Sequence, residues 1–254
     1  MTQIEQIAII NTMISAINIC KTFEDKKRGK ITAVDNASFE VKPGEIFGLL
    51  GLNGAGKTTT LRILAGILKP ISGTAVIDGI DVVKHPEKAK ARLGFMTGAT
   101  GLYGRLTASE MIEYFGKLYG MTKPEAAKKT SELIDLFGLQ EFADIRCDKL
   151  STGNKQKVSI ARTMVHNPPV IILDEPTAGL DVLTSRALVE FIFSERKRNK
   201  TIIFSTHVMH EAEKLCNRIG IIHKGRIIAV DAPANLNRAA DCVDLDDTFV
   251  KMVS

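Results

Sequence analysis

One stretch of eight residues restricts this chain more than any other: Gly51-Leu52-Asn53-Gly54-Ala55-Gly56-Lys57-Thr58. It lies between the apolar run Ile46–Leu50 and the helix-forming stretch Thr58–Leu68. A short, wholly apolar run is the pattern of a strand covered on both faces of a parallel sheet. A glycine-rich loop that follows such a strand and opens a helix turns its backbone N–H groups inward around an anion, free of side-chain clashes. The positive end of the helix dipole faces the same point. Lys57 adds a full positive charge, and the Thr58 hydroxyl supplies the hard oxygen that Mg2+ prefers. Gly51 to Thr59 therefore reads as a cradle for the phosphates of a nucleoside triphosphate, with Lys57 at the β- and γ-phosphates.

Alternating strand and helix patterns surround this loop. Ser15–Cys20 and Ala37–Val41 read as strands, with a charged turn between Phe23 and Ile31. Ala75–Gly79 is a further strand and turn, and Leu93-Gly94-Phe95-Met96 another strand. Val170–Leu173 and Thr201–Phe204 read as buried parallel strands, each preceded by helical sequence. Ile219–Val230 is a closing hairpin around Lys224-Gly225. From Leu106 to Leu139 the texture is helical, with Thr107 and Glu110 forming a reciprocal cap and a second helix over Ala126–Phe137. Leu236 to Ser254 reads as one or two short helices. The fold class is α/β: a mostly parallel sheet, an antiparallel N-terminal β part and an inserted α-helical lobe. A single domain is expected over 13–254, with its core at about 13–98 and 156–230, the lobe at about 99–155 and a tail at 231–254. Residues 1–12 are either a loose extension or lie ahead of a translation start at Met13.

Composition narrows the partners. The chain has 254 residues, 44% of them hydrophobic and 25% charged, so a packed core is expected. It has no tryptophan, which argues against base stacking on aromatic platforms. The net charge of +5 suits anionic partners without choosing among them. The run Lys26-Lys27-Arg28 with Lys30 reads as a solvated hairpin loop rather than a lipid or nucleic-acid contact. Four scattered cysteines form no CxxC pair, so neither zinc nor a disulfide framework is suggested, and a reducing cytosol fits. No apolar run approaches the ~18–20 residues that cross a bilayer. Met1 to Ile14 lacks the basic region of a secretory signal. A role in transport would need a membrane path from another polypeptide.

Asp174-Glu175-Pro176 closes the run Val170–Leu173, the place where open α/β sheets put ligand chemistry. Asp174 is placed to hold Mg2+, and Glu175 is the natural general base for a water attacking the γ-phosphate. His207 follows the strand Thr201–Phe204 and is a candidate contact for that phosphate or water.

With these residues assembled, the chain resembles the ABC ATPases from about Met13 to its end. Leu150-Ser151-Thr152-Gly153-Asn154 resembles the family signature Leu-Ser-Gly-Gly-Gln, with threonine and asparagine at two of its positions. The resemblance implies a P-loop NTPase (RecA-like) core that binds ATP and Mg2+. It also implies a head-to-tail homodimer, with each ATP held between Gly51–Thr59 of one subunit and Ser151 and Gly153 of the other. Ala178-Gly179-Leu180-Asp181 resembles the loop that passes between subunits. Phe23 resembles the aromatic residue that stacks on adenine, or is core at a strand end. The family's glutamine after the strand Leu93–Met96 is missing, its place falling at about Gly98.

Gly101-Leu102-Tyr103, Leu106-Thr107, Glu113–Gly120 and Leu245–Phe249 resemble the ABC-2-type exporter branch, which includes sodium-extrusion, drug and antibiotic exporters. The glutamine-less turn and the Ser-Thr-Gly signature are most similar to the sodium-extrusion subunits. The resemblance implies a separate integral-membrane permease, a place on the cytoplasmic face of the cell membrane and no nucleic-acid partner. A soluble ATPase of the family acting on DNA or ribosomes is the alternative. Long coiled coils, zinc modules or tandem copies mark that class, and this sequence has none of them.

Overall fold

The computed structural model describes residues 12–27, 29–97 and 101–254. The chain divides into two units. The first holds the described residues up to Leu93, together with Pro169–Glu175 and Ile192–Ser254; the second holds Gly94–Pro168 and Pro176–Phe191.

In the first unit β1 (Ile14–Asp25) and β2 (Gly29–Val41) form an antiparallel hairpin. With β4 (Ser72–Ile77) and β5 (Ile80–Asp81) they make a four-stranded sheet of order β2-β1-β4-β5. The expected turn between Phe23 and Ile31 is tighter than its charges suggested: Phe23 pairs with Ile31, and the ladder continues to Asp25 opposite Gly29. Glu24 stands opposite Lys30 in this register, and opposite charges facing each other across a pair favour it.

β3 (Ile46–Leu50) runs parallel to β8 (Thr201–Thr206) and β9 (Arg218–His223), and β8 runs parallel to β7 (Val170–Asp174). β10 (Arg226–Asp231) closes a hairpin with β9. The order in this unit is β10-β9-β3-β8-β7. Every residue of β3, β7 and β8 is buried, as their apolar composition requires. The ring of Phe47 stacks on Phe39 of β2 at 5.2 Å.

Helix α1 (Lys57–Leu64) follows β3 directly. It stops short of the expected Leu68, because Gly66 adopts a left-handed φ of 66° and the Ile67 and Leu68 N–H groups both turn back to the Arg62 carbonyl. The short helix α2 (Pro86–Lys90) follows β5.

The second unit opens on most of β6 (Leu93–Thr97) and carries α3 (Ala108–Leu118), α4 (Lys123–Leu136) and α5 (Thr152–Met164). The Thr107 hydroxyl accepts from Glu110 N–H at 3.2 Å, and Glu110 accepts from Thr107 N–H at 2.9 Å, completing the expected cap. α3 and α4 meet where Gly116 leaves room for Ala126. The unit is larger than the expected 99–155 lobe, since it takes in all of α5 and the first part of α6 (Val182–Lys197). Back in the first unit, α7 (Met209–Leu215) joins β8 to β9, and α8 (Pro233–Ala240) and α9 (Leu245–Val253) form the expected helical tail. Among the described residues no helix is long and apolar enough to cross a membrane.

Candidate active site

β3 delivers the chain into the loop 51–56 at the carboxyl end of the parallel strands. Gly51 is required by space: a Cβ there would strike the Ile222 carbonyl of β9 and lie 2.9 Å from that residue's methyl carbon. Gly56 is required twice over. It caps α1 with a φ of 109°, and a Cβ would meet the Ala33 carbonyl of β2. The turn between β9 and β10 supports the loop from behind. Gly225 N–H donates to the Ala55 carbonyl at 2.9 Å, and the Gly225 Cα stands 3.4 Å from where a Gly56 Cβ would be. Leu52, Asn53 and Gly54 form the exposed crest, and Ala55 is buried beneath it.

Lys57, Thr58 and Thr59 make the first turn of α1. No acidic residue stands in that turn, so the helix presents uncompensated N–H groups to an anion. The Lys57 side chain is 4% exposed. Its ammonium donates to the Gly51 carbonyl at 2.6 Å and the Leu52 carbonyl at 3.2 Å, and pairs with Glu175 Oε1 at 3.1 Å. The loop lysine and the strand-end glutamate are therefore in direct contact. The other oxygen of Glu175 lies 3.3 Å from His207 Nδ1. Asp174, the last residue of β7, is 4% exposed and accepts from the Ser205 hydroxyl at 2.6 Å. The donor set available to a divalent cation is the Thr58 hydroxyl and the Asp174 carboxylate. Two hard oxygens suit Mg2+, which completes its shell with water and phosphate oxygens. Among the described residues no cluster of three His, Cys, Asp or Glu could hold a metal unaided.

Lys57, Asp174, Glu175 and His207 are thus joined in the first unit. Ser151, Gly153 and Asp181 form a separate group in the second. Ser151 caps α5, its hydroxyl accepting from Asn154 N–H at 3.3 Å. Asp181 bonds Leu183 N–H and Thr184 N–H, both at 3.0 Å, and the Thr184 hydroxyl at 2.7 Å. These bonds, those from Thr184 first, hold its carboxyl below the usual carboxylate range. A Cβ on Gly153 would lie 3.4 Å from that same Thr184 hydroxyl. Phe23 is 41% exposed, with Lys21 Nζ 5.5 Å from its ring centre, so the alternative that it is core does not hold. Gly98 lies outside the described residues, as do residues 1–11 and Arg28.

Sequence reasoning missed Ser205. Nothing in the local pattern distinguishes it from a strand-end serine, and its role depends on pairing with Asp174 across a parallel register.

A phosphate loop that meets an acidic strand end at the carboxyl ends of a parallel sheet makes this protein a P-loop nucleoside triphosphatase. The sequence profile of the ABC transporter family matches residues 34–178, and the chain belongs to that family, among its ATP-hydrolysing ATP-binding subunits. It is 41% identical to the ABC transporter ATP-binding protein NatA of Bacillus subtilis, over 94% of this chain and 97% of the relative. The linearmycin resistance ATP-binding protein LnrL of the same organism is 38% identical over 88% of this chain and 70% of its own length. A solved ATP-binding subunit of an ABC transporter superimposes with a TM-score of 0.85 at 28% identity, over 95% of this chain and 99% of that one. A dimeric ATP-binding cassette in a post-hydrolysis state, bound to ADP and Pi, gives 0.80 at 28% identity, over 87% and 98%.

Proposed function

We propose that this chain is the motor subunit of an ABC exporter, acting on a separate integral-membrane permease from the cytoplasmic face of the cell membrane. The observation that carries this reading is the contact of Lys57 with Glu175, whose other oxygen meets His207. Glu175 takes the proton of the attacking water, and His207 orients that carboxylate and faces the γ-phosphate. Lys57 exchanges its loop carbonyls for phosphate oxygens. Thr58 and Asp174 would hold Mg2+, which neutralises charge on the phosphates. The exposed ring of Phe23 stacks on adenine, with Lys21 beside it.

The working form is a head-to-tail homodimer. Ser151, Gly153 and Asp181 of one subunit complete the nucleotide site on the Gly51–Thr59 loop of the other; the dimeric solved cassette supports a dimer. Ser151 and Gly153 stand at a helix N-terminus, which suits a γ-phosphate. Nucleic acid is not a partner in this reading.

Sodium extrusion is the cargo that the Ser-Thr-Gly signature and the glutamine-less turn favour. The relative LnrL supports a drug or antibiotic exporter as the second reading. The test is to purify the chain with its membrane partner in mild detergent and measure ATPase activity in sodium-loaded vesicles. A multispanning partner with sodium-stimulated hydrolysis is expected. A multispanning partner without sodium stimulation transfers the reading to a drug or lipid, and a wholly soluble complex overturns the exporter.

A further inference from the structure

We propose that Ser205 is a positioning residue, its single buried hydroxyl setting the Asp174 carboxylate and the Glu175 backbone at once. This rests on the roles given above to those two acids.

Ser205 is fully buried near the end of β8, opposite Asp174 of β7 on one side and Leu49 of β3 on the other. Its hydroxyl donates to Asp174 Oδ1 at 2.6 Å and accepts from Glu175 N–H at 3.1 Å. A carboxylate only accepts and an amide N–H only donates, so the proton of this hydroxyl has one direction. The short bond to Asp174 is charge-assisted. Glu175 needs a second restraint because its φ of 48° is left-handed. Residues other than glycine keep such a conformation only where their surroundings over-determine it. Here one N–H is shared between the Ser205 hydroxyl and the Ser205 carbonyl, both at 3.1 Å.

The same strand end completes the arrangement. The Thr206 hydroxyl accepts from Val208 N–H at 3.0 Å, turning the chain where His207 meets the Glu175 side chain at 3.3 Å. Ser205 thus holds Glu175 by its backbone, and His207 holds it by its carboxylate. Asp174 is locked to the same hydroxyl, so the metal-holding and water-activating groups keep a fixed relation.

The full-length chain is tested as Ser205→Ala and Ser205→Thr. Steady-state ATPase is measured alongside equilibrium binding of ATP, once with Mg2+ and once with EDTA. Ser205→Ala is expected to lower kcat by about tenfold or more with little change in KM. It should reduce the Mg2+-dependent gain in ATP affinity several-fold and leave metal-free binding unchanged. Ser205→Thr, which keeps the hydroxyl, should recover most of both losses. Ser205→Cys, of similar volume and weaker hydrogen bonding, replaces alanine should that variant melt below the assay temperature. Wild-type kcat and wild-type Mg2+-dependent affinity in the alanine variant would overturn the proposal. So would an equal loss of binding in EDTA, which would indicate general damage to the loop. Glu175→Gln in the same assays separates the two readings. Full turnover in that variant removes Glu175 as the base, and a Mg2+-linked loss in Ser205→Ala would still show Ser205 positioning Asp174.

Discussion

Replacing Glu175 with glutamine separates binding from chemistry in a way that the geometry makes quantitative. The carboxylate lies 3.1 Å from the Lys57 ammonium, with side chains 25% and 4% exposed. At an effective dielectric of about 20 the gross attraction is about 5 kcal/mol. Desolvation of the pair offsets most of this, leaving a net of about 1 kcal/mol. Glutamine keeps the shape. Its carbonyl still accepts from Lys57, while its amide group faces His207 Nδ1, which must then become an acceptor. Lys57 thereby loses a competing counter-charge, and ATP affinity should rise by roughly three- to tenfold. Hydrolysis should fall by about 100- to 10,000-fold, the usual worth of a positioned general base and about 3–5 kcal/mol on the barrier. Equilibrium binding of a fluorescent ATP analogue in Mg2+, set beside steady-state phosphate release, measures both effects. Turnover at the wild-type rate would refute the base assignment. Tenfold weaker binding would refute the view that Glu175 competes with phosphate for Lys57.

Lys57→Ala should abolish measurable ATP binding by calorimetry, because the residue supplies the loop's buried charge. Phe23→Ala should weaken ATP binding by roughly five- to thirtyfold, using about 1–2 kcal/mol for the lost stacking. Its melting temperature should hardly move, since the ring is largely exposed. Ser151→Ala removes the cap of α5 and should cost about 1 kcal/mol in denaturant unfolding. Monomeric ATP binding in that variant should match the wild type, and ATP-driven dimerisation of the Glu175→Gln background, followed by light scattering, should weaken.

Features encoded within a few residues were legible in the sequence. The phosphate loop, the Asp174-Glu175 strand end and the Thr107–Glu110 cap each depend on local geometry. Boundaries set by neighbours were not. β1 and β2 extend to Asp25 and Gly29, where Glu24 stands opposite Lys30, and α1 ends at Leu64 because Gly66 turns left-handed. Ser205 escaped notice because its partner is 31 residues away and reached only through the parallel register. Asp181 was read for an intersubunit role, and its capping of α6 emerged only with the Thr184 bonds in place.

The support behind the phosphate loop has a consequence for biosynthesis. Ala55 and Gly56 leave the ribosome well before the hairpin turn at Gly225 that backs them. β8 and β9, which flank β3, also come late. A nascent chain that has emerged only through α6 carries every phosphate-binding residue of the loop and lacks the neighbours that shape it. Domains fold as units during synthesis, so nucleotide competence waits on strands made after the loop that confers it.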